Sequence, residues 1–259
     1  MISSDKKQKH IIARDDMDRR AFLRTVGLAA GAAGALLILP GCAPDAAPGG
    51  DILSVAGLVD TSRFTKDPPW VIGRSGMGEV NSWQVMATNH FDYFVNQKYE
   101  GLFSDVLTAS AFFDPAQQIS DMEDLLTRDL DIMLVQPVTG GNITAQIEEA
   151  MDRGIPVVLT GARAYTDNYI SYLDRDNPGV GRLYTNWIAD RLGGKGKVAV
   201  MMGLPGNTYA EDVLRGVRDT LATYPDMEEV ALGYGVWSPV EGKTAMEAML
   251  ASTDQIDGI

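Results

Sequence analysis

The sequence predicts an α/β protein in which parallel sheets are flanked by helices. The first observation is an uninterrupted alternation of helix and strand patterns between Phe112 and Gly161. The second is that the strand segments within it are uniformly apolar, which is typical of strands covered on both faces. Parallel strands are joined by right-handed helical crossovers, so this alternation indicates a parallel sheet.

The first helix of this stretch has a clear start. Asp114 supplies a carboxylate that can cap free backbone N–H groups, and Pro115 takes a position where its missing N–H costs nothing. Apolar residues then recur near every 3.6 residues, at Ala116, Ile119, Met122, Leu125 and Leu126. This spacing predicts an amphipathic helix that packs on one face of the sheet.

The elements around this helix follow the same pattern. Strands are predicted over Trp70–Gly73, Val106–Phe113, Ile132–Val138, Ile155–Gly161 and Tyr169–Leu173. A helix that starts after the loop of residues 74–81 is predicted to bury Trp83, Met86, Ala87, Phe91, Phe94 and Val95. A further helix is predicted to be capped by Asn142 and ended by Gly154.

The second half repeats the alternation. Strands are predicted over Lys197–Met202 and Val230–Trp237. The helix before the first of them is predicted to bury Val180, Leu183, Tyr184, Trp187, Ile188 and Leu192. The helix after the loop GLPGN is predicted to bury Val213, Leu214, Val217 and Leu221, and a last helix contains Ala245, Met246, Met249 and Leu250. The loop lacks the lysine of a phosphate-binding loop and the spacing of a dinucleotide fingerprint.

Several segments carry a family resemblance. The run DPAQQISDMEDLLTRDLDIMLVQPV, the later IPVV, and LGGKGKV followed by a strand, Gly-x-x-Gly and a helix resemble the ribose-binding type of periplasmic sugar-binding proteins of ABC importers. The resemblance implies a two-lobed periplasmic-binding-protein-like fold. The expected lobes are 68–174 and 175–259. The second is expected to be incomplete, because in the family the terminal Ile-Asp-Gly-Ile begins a strand that continues.

The first 42 residues have the pattern of a leader. Arg19-Arg20 resembles a twin-arginine signal, an apolar run covers residues 26–39, and Leu39-Pro40-Gly41-Cys42 resembles a lipobox in which Cys42 is acylated. A retained membrane helix, or a chance Arg-Arg pair before an apolar run, is the alternative. Residues 43–67 are predicted to be a flexible tether.

Composition excludes several classes of function. Of 22 basic and 35 acidic residues, the leader holds 7 and 4, which leaves a net charge of −16 for the remainder and disfavours nucleic-acid binding. Cys42 is the only cysteine, His90 is the only histidine outside the leader, and no Gly-x-Ser-x-Gly elbow occurs. Carboxylate chemistry stays open. The spacing of Asp174, Asp176 and Asn177 does not suit a metal loop, and no cofactor or metal is expected.

The resemblance also implies ligand contacts, placed in the loops that follow the strands. The candidates are Asn81, Trp83, Gln84, Arg163, Asp176, Glu211 and Trp237. Glu211 stands where the family has an arginine, and Gly161-Ala162 stands where the family has an aspartate. Asn81 and Asp176 could instead be helix caps, Trp83 and Trp237 core residues, and Arg163 a surface arginine.

The resulting hypothesis is a solute-binding protein without catalysis. It is expected in the periplasm or at the outer face of the cell membrane, exported and lipid-anchored, where it would deliver a sugar-like ligand to an ABC permease and its ATPase. The alternatives are a ligand-sensing domain of a signalling receptor and an extracytoplasmic hydrolytic enzyme.

Overall fold

Two parallel sheets organise the described part of the chain, residues 59–259 of a computed structural model. The first has five strands in the order β2-β1-β3-β4-β5, and all neighbours run parallel. These strands are Trp70–Gly76 (β1), Phe103–Ser110 (β2), Ile132–Val135 (β3), Val157–Thr160 (β4) and Ser171–Leu173 (β5). The predicted α/β class with parallel sheets is confirmed.

Three helices belong to the first sheet. They are α1, Ser82–Tyr93, which continues as a π-helical turn over Phe94–Lys98, α2, Pro115–Leu126, and α3, Thr144–Asp152. Helix α2 starts as predicted, because Asp114 accepts hydrogen bonds from the N–H groups of Ala116 and Gln117 and Pro115 is its first residue. Its buried Met122, with Met133 of β3, belongs to the main apolar core beneath the sheet.

The second sheet is smaller. It contains Lys195–Met202 (β6) and Asp226–Tyr234 (β7), paired in parallel. Its helices are α4, Asn177–Leu192, α5, Thr208–Leu221, and α6, Pro239–Ser252. A single parallel bridge between Val198 and Gly258 brings residues 257–259 to the free edge of β6.

Helices α4 and α5 pack closely because glycine stands at each contact. A Cβ at Gly181 would lie 2.2 Å from the carbonyl oxygen of Val213, and one at Gly216 would lie 2.0 Å from that of Pro178. Any side chain at either position would separate the two helices. This contact fixes the position of the α5 N-terminus, which carries part of the site described below.

The structure corrects several predicted burial patterns. Met86 of α1 and Leu183, Tyr184 and Trp187 of α4 lie largely in solvent rather than in the core. Helix α4 instead buries Gly181, Thr185 and Ala189, because it packs through small residues on α5. Helix α1 buries Gln84 and its continuation buries Val95, so its inward face is shifted from the predicted stripe.

Strand ends also differ from their predictions. Strand β1 continues to Gly76, and its Arg74 is buried, where its guanidinium donates to Thr88 Oγ1 (3.0 Å). Phe112 and Phe113, predicted to end β2, have positive φ and form the turn before α2. Trp237 lies in a similar turn three residues beyond the end of β7. The residues at these turns leave the extended conformation that their β-propensity favours.

Two smaller predictions also need correction. Asn142 does not cap α3, since the N-cap residue is Ile143, and the Asn142 side chain accepts hydrogen bonds from Thr139 instead. Part of the predicted tether is not free, because Val59 and Phe64 pack against the main core. The leader, Cys42 and residues 43–58 lie outside the described residues.

The region before β1 is also anchored electrostatically. Lys66 forms an ion pair with Asp131, and Asp131 Oδ2 accepts a hydrogen bond from the Val71 N–H (2.9 Å). Burial alone would raise the pKa of Asp131, but the lysine and the N–H group outweigh it, so the pKa lies below its usual value.

Within residues 59–259, no helix has the length and apolar character needed to cross a membrane.

Candidate functional site

A cavity of about 390 Å³ lies where the two sheets and their helices meet. Its lining comes from the loop after β1, the first turn of α1, the ends of β3 and β4, the segment before α4, the first turn of α5 and the turn after β7. Loops at the carboxyl ends of parallel strands are the usual ligand-binding positions of open α/β sheets. The cavity is therefore the candidate site.

Aromatic side chains form one wall of this cavity. The ring of Trp237 lies between those of Phe113, at a centroid distance of 5.6 Å, and Tyr209, at 6.0 Å. Phe113 lies in the turn between β2 and α2 and Tyr209 lies in α5, so the Trp237 ring contacts side chains of both lobes. Trp83 adds a fourth aromatic ring, 46% exposed, at the cavity. Such faces suit the C–H surfaces of a sugar ring.

Amide side chains form much of the remaining wall. Gln136 is held through its backbone, whose N–H donates to Ser75 O and whose carbonyl accepts from Gln118. Within residues 59–259 its side-chain amide makes no hydrogen bond, so it can serve a ligand as donor and acceptor. Gly161 has φ 67°, and a Cβ there would approach the Gln136 amide to 3.2 Å, so this glycine leaves the amide accessible.

Asn207 ties the two lobes together beside the cavity. Its Oδ1 caps α5 by accepting from the N–H groups of Tyr209 (3.1 Å) and Ala210 (3.4 Å). Its Nδ2 donates to the carbonyl oxygens of Pro137 (3.3 Å) and Val138 (2.9 Å), beyond the end of β3. Because Asn207 is 1% exposed, both functions are carried out away from water.

Among residues 59–259, Arg175 is the only charged side chain in the cavity lining. Its guanidinium carbon lies 4.3 Å from the centre of the Tyr209 ring, a cation–π contact. The nearest carboxylate is Asp174, at 3.7 Å, and it also accepts hydrogen bonds from Tyr172 and Asn177. Burial and the bond to Asp174 raise the pKa of Tyr172, so its hydroxyl stays a neutral donor.

The structure does not bring Arg163 to the cavity. Arg163 donates to Asp212 Oδ2 (2.7 Å), a bond that raises the pKa of Arg163. The Arg163 backbone exchanges two hydrogen bonds with Thr208 Oγ1. This predicted ligand residue is thus occupied by contacts between the lobes.

Two acidic candidates are also directed elsewhere. Glu211 accepts a hydrogen bond from the Tyr165 hydroxyl (3.1 Å). Asp176 caps α4 by accepting from the Gly179 N–H (2.9 Å) and pairs with Arg182 (2.8 Å). Both carboxylates have internal partners, and neither lines the cavity.

Four predicted candidates do line the cavity: Asn81, Trp83, Gln84 and Trp237. Asn81 also caps α1 by accepting from the Gln84 N–H (3.0 Å), so its cap and site roles coexist. Seven further lining residues were not among the predicted candidates: Met77, Ser82, Gln136, Gly161, Arg175, Asn207 and Tyr209. For Ser82, Asn207 and Tyr209, the position at a helix start after a predicted strand was the signal that could have found them. Gln136 had no such signal, because it was predicted to lie within a strand.

A second cavity, of about 400 Å³, has a different character. It lies between α4, α5 and the small sheet, and apolar side chains such as Val198, Val213 and Leu221 dominate its lining. A polyhydroxylated ligand needs several convergent hydrogen-bonding groups, which this cavity offers far less than the interlobe cavity does. No cluster of three or more metal-ligating side chains occurs within residues 59–259.

Comparison with known proteins agrees with this architecture. The chain is 28% identical to the ribose import binding protein of Bacillus subtilis over 218 residues, which are 80% of this chain and 70% of that protein. It is 29% identical to a xylitol-binding protein of Mycolicibacterium smegmatis over 151 residues, which are 58% of this chain and 43% of that protein. The chain therefore spans between 43% and 70% of the length of these two relatives.

Solved structures give the same result. The fructose binding periplasmic domain of a hybrid two component system is 26% identical, with a TM-score of 0.66 over 73% of this chain and 62% of that one. A Mycobacterium smegmatis protein in complex with β-D-fucofuranose is also 26% identical, with a TM-score of 0.67 over 73% and 63%.

The predicted resemblance is thereby confirmed. The family model described as "Periplasmic binding protein domain" matches residues 80–259. This range includes strands β2 to β7 and most of the cavity lining. The family is one of periplasmic binding proteins, which bears out the expectation of a binding protein rather than an enzyme. The chain belongs to the periplasmic binding protein domain family.

Proposed function

We propose that this chain binds a sugar or sugar-like ligand in the cavity between its lobes and delivers it to an ABC importer. The observation that carries the proposal is the combination of aromatic rings, from Trp83, Tyr209 and Trp237, with amides, from Asn81 and Gln136, around one cavity. Rings cover the apolar faces of a sugar, and amides pair with its hydroxyl groups. The similar proteins, which are named for binding ribose, xylitol and fructose, support this class of ligand.

Ligand binding is proposed to favour a closed arrangement of the lobes. The residues around the cavity come from both lobes, and a ligand that contacts both gains more contacts when they approach. The closed form would then be the one that a permease and its ATPase recognise. The crossover near residue 174 joins the two lobes and is the segment through which they could adjust.

We further propose that the protein is held at the outer face of the membrane by acylation of Cys42 after export. The support is the leader pattern of residues 1–42. Cys42→Ser should release the protein from isolated membranes into the soluble extracytoplasmic fraction. Continued membrane association of this variant would contradict lipid anchoring.

A sensing role is the second candidate. Its specific support is the fructose binding periplasmic domain of a hybrid two component system, to which this chain is 26% identical. Uptake of labelled ligand separates the two roles. A strain that lacks this protein should lose uptake if the importer role is correct, whereas intact uptake with a lost transcriptional response to the ligand would favour sensing.

The ligand-binding proposal is tested with the purified chain and a panel of pentoses, hexoses, polyols and sugar acids. At least one member should change the tryptophan fluorescence and raise the melting temperature, because a ligand that binds only the folded state stabilises it. Trp237→Ala should weaken binding of that member by roughly 1–3 kcal/mol, since the ring would be buried against the ligand. A panel without any binding would contradict the proposal.

A further inference from the structure

The charge around the interlobe cavity is unbalanced. Its lining within residues 59–259 contains one cationic side chain, Arg175, and no carboxylate. Gly161, which lines the cavity, stands in the segment where the resembling family has an aspartate. The Glu211 carboxylate accepts a hydrogen bond from Tyr165 and lies outside the cavity lining. A ligand in this cavity therefore meets a positive group without a negative counterpart in the wall.

Arg175 is also held in position to act on a ligand. Its guanidinium stacks on Tyr209, whose ring stacks in turn on Trp237, so the cation is part of the aromatic wall. The Asp174 carboxylate, 3.7 Å away, already accepts hydrogen bonds from Tyr172 and Asn177 and compensates the guanidinium only partly. Five N–H groups in a planar fork are then available, a geometry that matches a carboxylate.

The orientation of two helices adds positive electrostatic potential at the cavity, of the same sign as the charge of Arg175. The first turns of α1 and α5 contribute Ser82 and Tyr209 to the cavity lining, so the positive ends of both helix dipoles face the ligand position. Both helices are longer than three turns. The dipoles alone would not select an ion, but they reinforce the charge that Arg175 supplies.

We propose that the ligand is a sugar acid, a polyhydroxylated carboxylate, and that Arg175 binds its carboxylate and determines specificity. This inference rests on the proposed sugar-binding function and narrows its substrate class. The aromatic rings and the amides of Asn81 and Gln136 would contact the polyol part, while the guanidinium would form a bidentate ion pair with the acid group.

The test compares each aldose with acids in which one of its carbons is oxidised to a carboxylate. The purified chain is titrated calorimetrically with D-ribose and D-ribonate, D-xylose and D-xylonate, and D-glucose, D-gluconate and D-glucuronate. At least one acid should bind about tenfold or more tightly than its aldose, and added salt should weaken the acid more than the aldose. Arg175→Gln should weaken acid binding about ten- to hundredfold and leave aldose binding nearly unchanged.

Two further variants make the result specific. Arg175→Lys keeps the charge but loses the planar fork, so it should recover only part of the preference. Arg153→Gln removes an exposed arginine paired with Glu149 on α3, outside the cavity, and should change neither affinity. Circular dichroism and melting temperature establish that each variant is folded.

The possible outcomes distinguish failure of the sugar-acid inference from failure of the proposed sugar-binding function. If the aldoses bind as tightly as the acids, or if Arg175→Gln keeps the preference for an acid, the sugar-acid inference is wrong while the sugar-binding function stands. If no member of either class binds, the sugar-binding function itself fails and the inference fails with it.

Discussion

The hydrogen bonds of Asn207 provide a quantitative test of how the lobes are joined. Asn207→Ala removes the cap of α5, a loss of about 1 kcal/mol within a range of 0.5–2 kcal/mol. It also removes the amide that donates to Pro137 O and Val138 O, and leaving such a buried carbonyl without its donor costs about 1–3 kcal/mol. The expected loss in the free energy of unfolding is therefore about 2–4 kcal/mol.

Two matched variants separate these contributions. Asp114→Ala removes the cap of α2, which lies within the first lobe, and should cost only about 1 kcal/mol. Asn207→Asp keeps the oxygen that caps α5 but directs a second carboxylate oxygen at two carbonyl oxygens. It should therefore destabilise the protein by an amount comparable with Asn207→Ala despite its intact cap.

Urea unfolding followed by circular dichroism is the assay. Midpoints at unchanged slope give the differences in unfolding free energy, and a 1 kcal/mol loss should lower the melting temperature by about 2–4 °C. Equal destabilisation by Asn207→Ala and Asp114→Ala, together with a harmless Asn207→Asp, would refute the reasoning, because the contacts across the lobes would then contribute nothing.

Two other perturbations follow from the packing and the charges. Gly203→Ala would place a Cβ 2.1 Å from the Trp237 ring and should displace the ring, so ligand binding should weaken about tenfold. Gly242→Ala in α6 is the control, because a Cβ there meets no atom within 4 Å, and it should raise the free energy of unfolding by about 0.5–1 kcal/mol. Unchanged ligand binding by Gly203→Ala would contradict the role given to the Trp237 ring. The pKa of Asp131 is lowered in the folded protein, so its stabilising contribution is present above the unfolded-state pKa of about 3.9 and is lost as the pH falls through the lower folded-state pKa. Asp131→Asn should therefore be less stable than the original protein by about 1–2 kcal/mol at pH 7. This difference should shrink as the pH falls below about 4 and disappear below the folded-state pKa of Asp131. A difference that is constant with pH would show that the ion pair is not its cause.

The elements of the fold could be predicted well from local patterns. In the structure, a helix starts after the predicted cap at Asp114, and strands cover the apolar runs that begin at Ile132 and Lys197, as their sequence patterns predict. Strand ends were harder, because Phe113 and Trp237 favour extended backbone by type yet adopt positive φ in turns. Tertiary contacts that cross the lobes decide those turns, and no local pattern reveals them.

The site could be predicted only in part for a related reason. Its location after the strands of the sheet follows from topology, whereas Asn81 and Trp83, which line it, were predicted from the family resemblance. The partners of charged side chains do not follow from topology. Arg163 pairs with a carboxylate 49 positions away, and the cationic side chain that lines the cavity is Arg175, which was not among the predicted candidates.

Methionine methyl NMR tests the central claim, that the ligand binds between the lobes, most directly. Met77 lines the interlobe cavity, Met201 and Met227 line the apolar cavity of the second lobe, and Met122 is wholly buried in the first-lobe core. Titration with a binding saccharide or sugar acid should shift the Met77 methyl resonance strongly and leave that of Met122 in place. Shifts confined to Met201 and Met227, with Met77 unchanged at saturation, would contradict the assignment of the site.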